Sequence, residues 1–404
     1  MPSMSGSDAN HKFQEVDWAD VTRSRQWLTA PRVTFAVGVV VTAILFAYDR
    51  YVAHVYLIST WRVDPIDWVF LLGLVVLVAF GAVPAIKRWR SMTRYLRRLG
   101  ARPATLFGAW FLGVFVIVGL IGPVVYPYPG LDFAQTNLPP VGFSTPVIPT
   151  ECPGGITGEG FERFCQGSWD APIGTNHRGF PMEFLLIEGA RVALYVVVIG
   201  AAFVIPVAAI TGVIAGLRGG LVDDLLMGYV DVQLSIPAIV VYFIGYIYWN
   251  PSLLLLLATF GLLSWGGIAR LVRSEVLQRR EDGHVMVARS LGASRLYIAR
   301  RHILPNVTNT LVPAAFHLLA LLVLIEAGVA FLGFHDIMLY SWGSTISEGI
   351  NAEIAPQLIP RADVPTQHIW WVSTFPAVAL TLTMVSLKLT GDGLRDALDP
   401  RREF

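Results

Sequence analysis

Residues whose chemistry could be put to work are few in this chain and lie far apart. No H-E-x-x-H, G-x-S-x-G or C-x-x-C occurs. The only lysines are Lys12, Lys87 and Lys388, and none follows a glycine. A phosphate-cradling P-loop needs a glycine-rich turn running straight into Lys and Ser/Thr, so the chain does not hold ATP in that way. Two cysteines are too few for a thiolate zinc site of the usual kind, and neither a metal site nor a cofactor is expected in this chain. Cys152 and Cys165 sit in "ECPGGITGEGFERFC". The preferred reading is a disulfide, worth about 3 kcal/mol for so short a loop on chain entropy; the alternative is a reactive thiol pair or metal site.

The remaining candidates are ionisable groups inside apolar runs, where charge is costly and usually faces a bundle interior or a water-filled cavity. Asp224, Gly228, Asp231 and Ser235 follow i, i+4, i+7 and i+11, one face of a helix. Asp231, Ser235 and Glu326 are candidate lining of a translocation path, with a hydrogen-bonded position against a neighbouring helix the equal alternative for Asp231 and structural packing the equal alternative for Glu326. For Asp223 and Asp224 a hydrogen-bonded position near the headgroups is preferred. His317 and Glu326 are nine residues apart, half a revolution of a helix, so they do not pair on one face.

One stretch is basic, hinged and half apolar: "ARSLGASRLYIARRHILPN". Val285, Ala288 and Leu291 recur at spacings of three. Gly292 supplies a C-cap, and Ser294 after Ala293 an N-cap. In a second short helix Leu296, Ala299 and Ile303 share a face, Arg295, Arg300 and Arg301 point elsewhere, and Pro305 bounds it. Composition by itself favours an amphipathic pair lying on anionic lipid; a docking element for a cytoplasmic partner is the competing reading.

The elements that must carry these residues are membrane helices. The chain has 404 residues, 54% hydrophobic and 15% charged. Its net charge of +1 gives no attraction to nucleic acid. Spans of about 20 apolar residues are expected at 32–48, 66–86, 104–124, 192–215, 225–248, 253–271, 307–332 and 370–389, with a turn at Asn250-Pro251. "KRWRSMTRYLRRLGAR", the loop after the sixth span and the C-terminal tail are rich in arginine, which puts them and the N-terminus in the cytoplasm. The 126–186 loop has six acids and two arginines and falls outside.

Several motifs carry a resemblance. The segment "WGGIARLVRSEVLQRREDGHVMVARSLGASRLYIARRHILPN" resembles the coupling loop of ATP-binding-cassette (ABC) importer permeases, peptide/nickel branch, with Arg270, Arg273, Glu275, Gly292, His302, Leu304 and Pro305 in place. Met286-Val287-Ala288 stands where Glu-Ala-Ala is usual. "GTNHRGFPMEFLLIEGAR" resembles the family's G-T-D-x-x-G-R-D and G-A-R, with Asn176, Phe180 and Pro181 replacing Asp, Arg and Asp. "IEAGVAFLGF", "SWG" and "GDGLRDALDPR" fit as well, as does Asp231 with Pro237. The resemblance covers about residues 104–401.

What the resemblance implies is an all-α polytopic membrane protein of about eight spans, with two extra N-terminal spans ahead of a six-span permease core. The units are a cytoplasmic tail (1–31), a two-helix hairpin with a basic loop (32–103), the first core span (104–125), an extracytoplasmic loop (126–190), the rest of the core with its coupling loop at 272–305 (191–390), and a tail (391–404). The implied function is ATP-driven import of dipeptides or oligopeptides through the cell membrane. The implied partners are a second homologous permease subunit, two cytoplasmic ABC ATPase subunits holding ATP and Mg, an extracytoplasmic binding protein, the peptide and membrane lipid. Arg289, Leu291, Gly292, Ala293, Ser294, Arg295, Leu296, Ala299 and Arg300 form the ATPase-coupling loop, with the apolar faces of both short helices filling a groove on the ATPase and Arg289, Arg295 and Arg300 rimming it. Nickel or another small solute is the alternative cargo. The rival class is a stand-alone ion-coupled secondary transporter, which calls for broken helices, paired intramembrane charges and inverted repeats.

Overall fold

The computed structural model describes residues 29–53, 63–87, 102–146, 149–159, 163–336, 339–350 and 369–398, with 89, 93 and 100 singly. Helix α1 is Ala30–Tyr48, α2 Pro65–Lys87, α3 Pro103–Val125 and α4 Met182–Arg218. They are followed by α5 Gly220–Ser235, α6 Ala238–Tyr248, α7 Leu253–Leu263 and α8 Gly266–Arg279. The chain continues through α9 Gly283–Ser290, α10 Arg295–Ile298, α11 Leu304–Phe331, α12 Trp342–Ile350 and α13 Trp370–Leu398. Among the described residues, seven helices are long and apolar enough to cross a bilayer, counting α7 and α8 as one, and the bent pair α5–α6 makes up to eight. The shortest, at 23 residues, rise about 35 Å, enough for a hydrocarbon core of about 30 Å.

Local chemistry explains the ends. Pro65, Pro103 and Pro305 open their helices, where the missing N–H has no partner to lose. Asp64 and Asp67 form a capping box on α2. Ser252 caps α7 by accepting from Leu255 N at 3.1 Å. The sheath is uneven: α1 leaves most of its apolar side chains exposed, whereas α4 and α11 run through the middle of the core.

Three expectations are corrected. The fifth span is not one helix: α5 and α6 are bent by 71°. Pro237 forces Ile236 into extended backbone (φ −92°, ψ 119°), which ends α5. The 126–190 loop is shorter than expected, since α4 begins at Met182 and the G-A-R residues lie inside it. The tail from 391 is a continuation of α13 as far as Leu398, with Arg102 of α3 ion-paired to Asp396.

The long loop between α3 and α4 folds on itself. Strands β1 Ser144–Thr145, β2 Ile156–Thr157 and β3 Phe164–Gln166 form an antiparallel sheet in the order β1-β3-β2. Cys165, on the central strand, is disulfide-bonded to Cys152.

Candidate functional site

The segment from α8 to the start of α11 has the bipartite form its sequence predicts. Gly292 takes φ +81°, a left-handed conformation that costs other residues about 1–2 kcal/mol. Ala293 N donates to Ala288 O at 3.0 Å, the six-residue closure of a Schellman cap. Ser294 Oγ accepts from Tyr297 N at 3.2 Å, so the second turn is capped as it begins.

Which side faces out differs from expectation. Val285, Ile298, Ala299 and Ile303 are buried and, Ala299 apart, belong to the main core cluster. Ala299 and Ile303 therefore hold the segment to its own chain and do not supply an apolar face for another protein. Among the described side chains from α9 to α10, the large exposed apolar ones are Met286, Val287, Tyr297 and Leu291, the last 82% exposed. Ala299 and Ile303 share a face, as their spacing predicts, and that face turns inward to the core. Met286 and Val287, standing where the resembling family has Glu-Ala, extend the apolar patch. The side chains of Arg289, Arg295, Leu296, Arg300 and His302 lie outside the described residues.

Beneath this segment α8 is fastened to its neighbours. A Cβ on Gly212 would lie 2.4 Å from Ala269 O, and one on Gly216 2.7 Å from Val276 Cγ1. This small-xxx-small seam brings α4 and α8 into backbone contact. Arg280 Nη1 donates to Gly216 O at 3.1 Å, satisfying a carbonyl in the last turn of α4. Arg273 grips Asp223 through two bonds of 2.5 and 2.6 Å, and Arg270 pairs with Asp231. Asp223 is thus hydrogen-bonded to a neighbouring helix, as expected; Asp224 is exposed.

Asp231 and Ser235 lie one turn apart on α5, and each of the three proposed path residues is engaged within the chain. The Asp231 side chain is 63% exposed and occupied by Arg270. Ser235 Oγ turns back to donate to Asp231 O at 2.7 Å. Glu326 is buried in α11 and held by the Ser341 hydroxyl, a packed position and not an open lining. His317 is exposed on α11.

Motifs far apart in sequence meet at the other end of the molecule. Gly189 leaves room for the Trp342 ring, which a Cβ would meet at 2.1 Å, and Trp342 Nε1 donates to Leu186 O at 3.1 Å. Around the first turn of the loop-to-α4 entry, Thr175 Oγ1 donates to Gln135 O at 2.6 Å and accepts from Leu138 N at 2.8 Å. Asn176 Oδ1 accepts from Arg178 N and Phe180 N at 3.0 and 2.8 Å, the role an Asp would fill. Its Nδ2 donates to Glu348 Oε1 at 3.0 Å, which an Asp could not do. His177 Nδ1 lies against the same Glu348 oxygen while Nε2 accepts from Arg178 Nε at 3.3 Å. Burial, with a smaller push from Arg178, lowers His177 to about 4, so it is neutral at pH 7.

Sequence reasoning missed two polar residues in apolar helices. Asp67, 2% exposed, accepts from Tyr195 Oη and lies 3.4 Å from Arg191 Nη2, tying α2 to α4. Gln233, also buried, donates through Nε2 to Leu262 O. An ionisable or amide side chain inside an otherwise apolar span was the available signal for both.

Comparison with known proteins follows the same lines. The family described as "Binding-protein-dependent transport system inner membrane component" matches residues 208–404, and "N-terminal TM domain of oligopeptide transport permease C" matches residues 87–140. The dipeptide transport system permease protein DppC of Bacillus subtilis is 26% identical over 308 residues, 76% of this chain and 84% of the relative. The oligopeptide transport system permease protein OppC of Haemophilus influenzae is 28% identical over 317 residues, 78% and 88% of the two. A putative peptide permease protein of Brucella suis is 30% identical over 238 residues, 59% of this chain and 75% of the relative. With these matches spanning most of each relative, and with the bipartite loop and the α4–α12 motif contacts in place, the chain belongs to the ABC importer permeases, the inner-membrane components of binding-protein-dependent transport systems.

Proposed function

We propose that this permease subunit imports dipeptides or oligopeptides, with its N- and C-termini in the cytoplasm. The arginine-rich loops on one side of the spans support that orientation, and the peptide cargo is supported by the names its relatives carry. In this reading a second permease subunit completes the conduit, two ABC ATPase subunits bind ATP with Mg and hydrolyse the ATP in the cytoplasm, and a binding protein delivers peptide to the outer loop.

The observation that carries the mechanism is the exposed apolar patch of Met286, Val287, Leu291 and Tyr297 on a capped, rigid turn. Such a patch fits an apolar groove on the ATPase. Closure of the ATPase pair then pulls α9–α10, and α8 carries the displacement into the bundle as a rigid-body rotation. Asp231, Ser235 and Glu326 keep a proposed role only as residues near the path, since each is engaged within its own chain.

The rival secondary-transporter reading anticipates broken helices and charge pairs, and the structure has both: the α5–α6 bend and the Asp–Arg pairs. Family membership favours the ATP-driven reading. Deletion of 288–303 should abolish uptake of a labelled peptide into vesicles while membrane insertion survives. Uptake by this chain in vesicles lacking any ATPase would sink the reading.

A further inference from the structure

Helix α5 is tied to two neighbouring helices by polar groups that the apolar pattern does not require. Asp223 and Asp231 lie eight residues apart, about 12 Å along α5, and both are bound by α8, to Arg273 and Arg270. The pairs run in opposite order along the two helices, so they resist sliding as well as separation. Nearer the bend, Gln233 reaches across to the neighbouring break. Its Nε2 donates to the carbonyl of Leu262, in the last turn of α7 where such carbonyls lack intrahelical donors. Gly266, the first residue of α8, admits the Gln233 amide: a Cβ there would lie 2.4 Å from its Oε1. Two residues past the end of α5, Pro237 starts the segment that leaves at 71°. Two helix breaks therefore face each other across one buried amide.

From this arrangement we infer that α5 and α8 move as one lever, that the Ile236–Pro237 break is its hinge, and that Gln233 is the positioning residue registering this hinge against the α7–α8 break. The inference rests on the coupling role of the 288–303 segment. It assigns the direction of transmission: displacement enters at α9–α10, passes along α8 into α5 through the Asp–Arg pairs, and leaves as a change in the angle of α6. No titration and no substrate contact is needed.

Spin-label distances in the assembled complex test it, with nucleotide-free and Mg-ATP/vanadate-trapped states as the two conditions. Labels at Leu221 and Leu271 report the lever, labels at Ile247 and Leu271 report the hinge, and a label at the exposed Ser290 paired with one on the ATPase reports the coupling loop. The expected result is an unchanged Leu221–Leu271 distance with a shifted Ile247–Leu271 distance. Gln233→Leu should broaden the Ile247–Leu271 distribution in both states without moving the Leu221–Leu271 distance. Asp223→Arg and Arg273→Asp should each loosen the lever, and the double exchange should restore it. A Leu221–Leu271 distance that shifts as much as the hinge pair overturns the inference, as does a Gln233→Leu distribution identical to wild type. If the Ser290 label fails to respond to trapping, the coupling role itself is overturned, which separates the two failures.

Discussion

At the scale of single residues, the outer node around Asn176 and His177 shows how a departure from a family pattern can be read physically. Asn176 keeps the acceptor an Asp would offer to Arg178 N and Phe180 N and adds a donor toward Glu348. Asn176→Asp should therefore place two carboxylates together, and Asn176→Ala should strand two buried partners at about 1–3 kcal/mol; thermal unfolding of the purified subunit complex should rank both below wild type. His177 adds a pH dependence of known sign. Its folded value, about 4, is below the free value of 6.5, so the unfolded chain binds more protons between those limits. The contribution is complete above pH 6.5 and is lost as pH falls toward 4. The melting-temperature gap between wild type and His177→Gln should narrow from pH 7.5 to pH 5. At the opposite end Leu291 projects into open space. Leu291→Asp should leave stability unchanged and abolish coupled uptake, with ATP hydrolysis by the complex no longer stimulated by loaded binding protein.

At the scale of elements, the coupling segment was legible in outline and not in orientation. Gly292, Ser294 and Pro305 announce two short helices because caps are local chemistry, written in residues adjacent to the break. Which face turns inward depends on what covers it, and spacing alone does not show that Val285, Ile298 and Ile303 join the main core cluster. The same limit hid the α5–α6 bend. The run 225–248 is apolar on both sides of Pro237, so length and hydropathy read as one span. The structure adds polar cross-links instead of a break in composition: Asp223–Arg273, Asp231–Arg270 and Gln233 to Leu262. The α4–α8 seam leads to a steric prediction at this scale. Gly212→Leu has backbone within 2.4 Å of its first carbon, and should separate the helices at a cost of about 3 kcal/mol or more, within the range for overpacking. A lowered melting temperature with loss of complex assembly would check it.

At the scale of the whole molecule, the eight-span plan follows from apolar length and arginine placement, which is why it could be drawn before any contact was known. What length cannot show is how the front hairpin joins the rest. That joint is the buried Asp67–Tyr195–Arg191 group, with Glu188 3.5 Å from Arg191 Nη1. Asp67→Ala should leave Arg191 to Glu188 and Tyr195 and deprive the buried Tyr195 hydroxyl of its acceptor, at a cost of about 1–3 kcal/mol; crosslinking between α2 and α4 would report the hairpin coming away. The disulfide between Cys152 and Cys165 is the corresponding clasp on the long loop. Cys165→Ser should speed proteolysis of that loop while leaving the bundle intact.

The clasp at Asp67 also has a history, because its counterpart Arg191 lies 124 residues further along the chain. A ribosome adding about 5–20 residues per second needs on the order of ten seconds to cover that interval. Through that time the second helix must reside in or near the translocon with a carboxylate that has no cation beside it, at a penalty of up to about 3 kcal/mol and less toward the headgroups. Biogenesis of the hairpin is therefore completed only when α4 arrives, and ribosome stalling before Arg191 should leave α2 extractable from the bilayer.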